Sequence, residues 1–120
     1  MWTVEFDADV AQAGRVRHGA ERFLRGEGVA DGLDDIELML SELVTNAMLH
    51  ATAPRRATLE VNANAVRVSV DDATSQQPRV LPMSPTRPGG NGMRIVSSLA
   101  ARWGVTHNLV GKSVWFIVAR

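Results

Sequence analysis

At 120 residues, with 45% hydrophobic and 22% charged side chains, the chain is long enough for one core and too short for two. Thirteen basic and thirteen acidic groups cancel, which leaves no basic field for nucleic acid or an anionic membrane surface. Cysteine is absent, so disulfide scaffolds and cysteine-ligated metal sites are excluded, and a reducing, cytoplasmic setting is expected.

WTVEF, Trp2 to Phe6, alternates apolar and polar residues and predicts a short strand. Acidic groups stand here where a signal peptide carries basic ones, and no apolar run approaches the roughly 20 residues that span a bilayer. Val10, Ala13, Val16, Ala20, Phe23 and Leu24 recur at helical spacing, and Gly26 and Gly28 close that helix. A second helix runs to His50, with a cap offered by Asp31, or by Asp34 with Glu37 three residues later. ATAPRRA is a loop in which Pro54 stops any continuation. TLEVNANAVRVSVDD reads as two strands around a tight turn at Asn62 to Asn64, because Asn tolerates left-handed conformations.

The periodicity then stops. Residues 73–91, ATSQQPRVLPMSPTRPGGN, hold four prolines and two adjacent glycines, and a stretch of that length is a functional lid or a disordered segment. GMRIVSSLAARW resumes helical spacing through Met93, Val96, Leu99 and Ala100. WGVTHNLV and SVWFIVA are two further strands with Gly111 between them, and Trp103 and Trp115 read as core residues of these strands. The order of elements predicts a single α+β domain over residues 1–120: a two-layer sandwich with a mixed, mostly antiparallel sheet and helices on one face.

Within the second helix, SELVTNAMLH carries Glu42, Asn46 and His50 at four-residue steps beside the apolar seam of Leu40, Leu43 and Ala47. Four residues is about one turn, so these polar groups form one stripe. Taken singly, each is an ordinary solvated helix residue. A solvated face usually pairs Lys or Arg with Glu, however, whereas this one offers a carboxylate and a carboxamide next to the core. Asp72 ends a strand of alternating Val66, Val68 and Val70, and alternation turns Asp71 to the other face. Gly90 and Gly92 precede a helix, whose free N–H groups attract phosphate, although a hinge before an ordinary helix start would look the same. The three histidines, His18, His50 and His107, lack ligand spacing, and no G-x-S-x-G elbow is present.

ELVTNAMLHA, VSVDD, GGNGMRIV and GKSVWF, in this order and spacing, resemble the Bergerat ATP-binding fold of gyrase, Hsp-type chaperone ATPases, histidine kinases and mismatch-repair proteins. The likeness runs from Trp2 to the final strand. It is strongest to the small bacterial anti-sigma factor serine kinases and their actinobacterial relatives, and E-x-x-x-N-A-x-x-H is its most specific part. The resemblance implies ATP and magnesium as cofactors. It implies Asn46 as the magnesium ligand, Glu42 as the catalytic carboxylate and His50 in a supporting role. Asp72 would accept a hydrogen bond from the adenine amino group. Gly90, Gly92 and Met93 at the start of the third helix, and Gly111 and Ser113 in the G-x-[TS] turn, would lie at the nucleotide. One amide oxygen suffices for the metal, because magnesium keeps most of its waters and shares the phosphates. Arg79 and Arg87 of residues 73–91 would be within reach of the phosphates. Where the wider superfamily continues D-x-G-x-G after the aspartate, this chain reads DDATSQQP.

Two functions follow from the resemblance. One is a serine/threonine kinase that phosphorylates a STAS-type anti-anti-sigma protein and sequesters a sigma factor, for which the intact Glu42–Asn46 pair argues. The other is a Bergerat-fold adaptor that regulates partners by binding alone, for which the missing glycines argue. A detached histidine-kinase catalytic domain would need a phospho-accepting histidine on a dimerisation helix, where the first helix holds only His18. Some relatives pair two copies through the first strand, and a homodimer is an expectation of the same kind. Direct contact with nucleic acid or membrane is not expected.

Overall fold

The computed structural model describes residues 1–74, 92–109 and 111–120. Five strands and three helices follow the order β1 (Trp2–Phe6), α1 (Val10–Gly26), α2 (Leu33–His50), β2 (Arg55–Val61), β3 (Ala65–Asp72), α3 (Gly92–Leu99), β4 (Arg102–His107) and β5 (Lys112–Ala119). The expected lid over residues 73–91 lies, beyond Thr74, outside the described residues.

The strands form one sheet in the order β1-β2-β3-β5-β4. Every pairing in it is antiparallel, so the sheet is more uniform than the mixed one expected. Its inner face is apolar at alternate positions: Leu59, Val66, Val68, Val70, Val114 and Phe116 are buried. Against them pack Val16, Ala20 and Leu24 of α1, then Ile36, Met39, Leu40, Leu43, Val44 and Ala47 of α2, and Met93 and Val96 of α3. Helices on one face of an antiparallel sheet leave the other face to water. The outer face accordingly carries mostly polar side chains, with Trp115 and Ile117 as its large apolar residues. Trp115 lies there, because its neighbours Val114 and Phe116 take the inner positions, which corrects its expected place in the core. Its ring sits over Gly104, where an added Cβ would stand 2.7 Å from it, and under the guanidinium of Arg67 at 5.5 Å. Its Nε1 donates to Thr106 Oγ1 at 3.2 Å. Trp103, by contrast, packs against the core.

Local chemistry sets the element ends. Asp9 caps α1 by accepting from the Ala11 amide. Gly28, at φ 80°, closes it in a Schellman arrangement: its amide donates to the Arg25 carbonyl and that of Val29 to the Leu24 carbonyl. Neither Asp31 nor Asp34 caps α2. The cap is Gly32, at φ 75° and with no side-chain bond, because the chain turns sharply between α1 and α2. At the other end of α2, Arg55 donates to the carbonyls of Ala47 and Ala51 at 2.8 Å each, satisfying groups that a helix end leaves open. The β2–β3 turn also works differently from expectation. No described non-glycine residue has positive φ. Instead, Asn62 Oδ1 accepts from the amides of Asn64 and Ala65 at 2.8 Å each.

Gly111, between β4 and β5, is buried against the end of β3. A Cβ there would collide with the Asp72 carbonyl oxygen and stand 2.7 Å from Ala73 Cα. Both are backbone atoms, so no side chain can give way. Gly111→Ala is therefore expected to destabilise the fold by about 1–3 kcal/mol, as overpacking does. A shift in the urea unfolding midpoint measures it, and an unchanged midpoint would show that the β3 end has room.

Candidate functional site

Helix α2 turns its seam of Leu40, Leu43, Val44 and Ala47 to the core, and this orientation fixes where its polar stripe falls. Glu42 and Asn46 are both half-buried beside that seam, one turn apart, while His50 is exposed at the last residue of the helix. The C-terminal end of α2 meets the end of β3, where the Ala73 amide donates to the Thr52 carbonyl at 2.9 Å. The C-terminal end of α2, one turn beyond Asn46, thus lies by the Asp72 end of β3, which is paired with the Lys112 end of β5. Helix α3, packed against α2, begins at Gly92 in the same layer.

The two α2 side chains share an unusual state. The Asn46 carboxamide oxygen is buried with no hydrogen-bond partner. Such an atom is costly unless something is meant to meet it. The Glu42 side chain makes no hydrogen bond or ion pair among the described residues, and burial pushes its carboxyl above the ordinary value of 4.5. An unpaired amide oxygen and a carboxyl of raised basicity, one turn apart, suit a centre where a cation and a proton are handled together. The Asn46 oxygen fits a hard cation such as magnesium, which takes oxygen ligands and needs few of them from the protein. Among the described residues no group of three or more His, Asp or Glu could hold a metal by itself.

Asp72 is buried, and its carboxylate is already engaged. Lys112 Nζ donates to both of its oxygens, at 3.1 and 2.9 Å, and the Thr74 amide donates to Oδ1 at 2.9 Å. The side chains of Lys112 and Asp72 are only 7% and 3% exposed. The register explains the pair, since Asp72 lies directly opposite Lys112 on the helix-facing side. Ser113 lies opposite Asp71 instead, and its side chain belongs to the outer face. At Ser113 the strand thus turns its side chain away from the helices, and Lys112 before it faces them. Asp71, on the outer face, pairs with Arg56 at 3.5 Å. Gly111 packs on the β3 backbone. Met93 is a core side chain, 2% exposed, so what α3 offers at its start is backbone. Gly90, Arg79 and Arg87 lie outside the described residues. A separate open hollow, about 580 Å³, is lined by Glu5, Asp7, Gln12, Arg15 and Arg55 among others and contains none of the motif residues.

Comparison with known proteins gives the same region its context. The model of the histidine kinase-like ATPase domain family matches residues 6–118. Among solved structures, the histidine kinase domain of the blue-light activated histidine kinase of Erythrobacter litoralis EL346 is similar, with a TM-score of 0.53 and 26% identity. That match covers 90% of this chain, and the chain spans 59% of the length of the other. No curated protein matches the sequence. No helix among the described residues is long and apolar enough to cross a membrane.

The raised Glu42 carboxyl has a measurable consequence. A folded-state pKa above the unfolded one means that the fold prefers the protonated form. Its stabilising contribution is full below the unfolded value of 4.5 and is lost as pH rises through the folded value. At neutral pH the ionised carboxylate is a burden that Glu42→Gln removes. The variant should unfold at a higher temperature than wild type at pH 7, and the gap should close as pH falls towards 4.5. A gap that stays constant with pH would detach the effect from Glu42 ionisation.

Proposed function

The chain belongs to the histidine kinase-like ATPase domain family, and we propose that it binds ATP with magnesium and phosphorylates a serine or threonine of a protein partner. The specific reading is an anti-sigma factor kinase acting on a STAS-type anti-anti-sigma protein in the cytoplasm. The observation that carries the proposal is the pair on α2: an unpartnered, buried Asn46 oxygen one turn from a desolvated Glu42 carboxyl.

In this proposal Asn46 supplies one oxygen to magnesium. Magnesium, when bound, neutralises phosphate charge and orients the transferred group. Glu42 would hold the substrate hydroxyl by accepting a hydrogen bond from it, and would take its proton as the oxygen bonds to the γ-phosphorus and the bond to ADP, the leaving group, breaks. A carboxylate made more basic by burial is better suited to this than a solvated one. Asp72 accepts from the adenine amino group. The backbone at the start of α3 offers N–H groups to the phosphates. His50, exposed at the rim, is left a supporting role.

A second reading has its own observation. Asp72 is already bound to Lys112, which favours a chain that holds nucleotide weakly and works as an adaptor through protein–protein binding, with a sigma factor or a second copy of itself as partner.

Calorimetry with ATP and GTP, each with and without magnesium, tests the first step, and ATP should be preferred. With radiolabelled ATP and the partner protein, Glu42→Gln should leave ATP affinity within a few fold while transfer falls by about 10²–10⁴-fold, the usual worth of general-base assistance. Asn46→Ala should weaken ATP only when magnesium is present. If wild type binds the partner and transfers no phosphate, the adaptor replaces the kinase. Full transfer by Glu42→Gln would leave the kinase standing and remove Glu42 as its base.

A further inference from the structure

Lys112 is the unspecified middle position of the G-x-[TS] turn, to which the resemblance gives no role, yet it makes the shortest ion pair among the described residues. A carboxylate has about four lone-pair positions. Two of those on Asp72 are taken by the Lys112 ammonium and a third by the Thr74 amide. Both charged side chains are almost wholly removed from water. A neutral amino group arriving on a base therefore meets a carboxylate already held by a full positive charge, and charged donors bond more strongly than neutral ones. The lysine stem has four rotatable carbons, so the ammonium can swing away, but only by opening a buried pair.

We propose that Lys112 is an internal competitor for the base-recognition carboxylate. In the free chain the Asp72–Lys112 pair is closed, and a purine reaches Asp72 only in the fraction of molecules in which it opens. Apparent nucleotide affinity is lowered by that fraction. Lys112 thereby sets the affinity without belonging to the chemistry at Glu42. The inference rests on the adenine role proposed for Asp72, and it adds a residue with a directional effect.

Lys112 is the single lysine in the chain, so lysine-selective ¹⁵N and ¹³C labelling of the wild-type protein gives one side-chain signal. Adenosine, and ATP with magnesium, should shift or broaden that signal to saturation, while inorganic tripolyphosphate with magnesium should leave it in place. By calorimetry, Lys112→Ala should bind ATP about tenfold more tightly or better, because a charged competing bond has been removed. Equal ATP affinity in variant and wild type, with an unmoved lysine signal, would overturn the competitor role and leave the ATP site intact. Weaker binding by Lys112→Ala, or a signal that answers to tripolyphosphate and not to adenosine, would make Lys112 a ligand-binding group and overturn it equally. If neither protein binds ATP or adenosine, the adenine role of Asp72 fails and the inference falls with it. Should Lys112→Ala fail to fold, the wild-type lysine signal decides alone: movement with adenosine supports the competitor and a fixed signal overturns it.

Discussion

The structure depends on one constraint: the centre of the inner face of a single antiparallel sheet is sealed from water under α1, α2 and α3. Leu59, Val68 and Phe116 are fully buried there. A polar group in such a layer must find a partner within the protein or remain costly. Asp72 and Lys112 obey the rule. They meet as cross-strand neighbours at the end of the layer, and removing either would leave a buried charge, a defect of about 3–5 kcal/mol. The ends of β3 and β5 are thus held by electrostatics as well as by the backbone ladder, and Gly111 lets the two backbones approach.

Against that rule the α2 stripe stands out. Glu42 is desolvated without a partner, and the Asn46 oxygen is buried without one. Neither can relieve the strain by rotating the helix, because Leu40, Leu43, Val44 and Ala47 lock its seam into the core. A helix optimised for stability alone would place these two groups elsewhere. Glu37 offers a useful contrast. It too has a buried oxygen without a partner, and burial first, then Glu21 and Asp34, raise its carboxyl. It lies nine residues before Asn46, about 13 Å along the helix axis, where α2 faces α1. Its charged neighbours there are Glu21 and Arg25 of α1 and Asp34 of α2, so it belongs to the contact between two helices and not to the candidate site.

Much of this was legible in the sequence. The eight elements follow from period-two and helical spacing. The stripe of Glu42, Asn46 and His50 follows from four-residue steps on a helix whose seam is evident. Strand neighbourhood was not legible, since alternation in β5 says which side chains face inward and nothing about which strand lies alongside. The same gap hid the Asp72–Lys112 pair. A partial signal existed: Lys112 shares parity with Val114, Phe116 and Val118, so a lone lysine was due to face the core and needed an anion there. Ser113 was chosen from a tripeptide pattern and has the opposite parity, which is why its side chain belongs to the outer face. The sequence offers Asp31 and Asp34 as acidic caps for α2, whereas the chain enters the helix through a left-handed turn at Gly32 with no side-chain cap.

The position of β5 has a bearing on how the molecule comes to exist. Residues 112–119 are made after β4, yet they occupy the slot between β3 and β4. While a ribosome has made the chain only as far as residue 111, β1, β2 and β3 can assemble as neighbours, but β3 keeps a bare edge rich in valine and β4 has no strand to lie against. Such an edge is a template for strands from other nascent chains. Insertion of the last strand removes the hazard and completes the inner face in one event. It also brings Lys112 to Asp72, so the charge at the sheet end is neutralised only when assembly finishes.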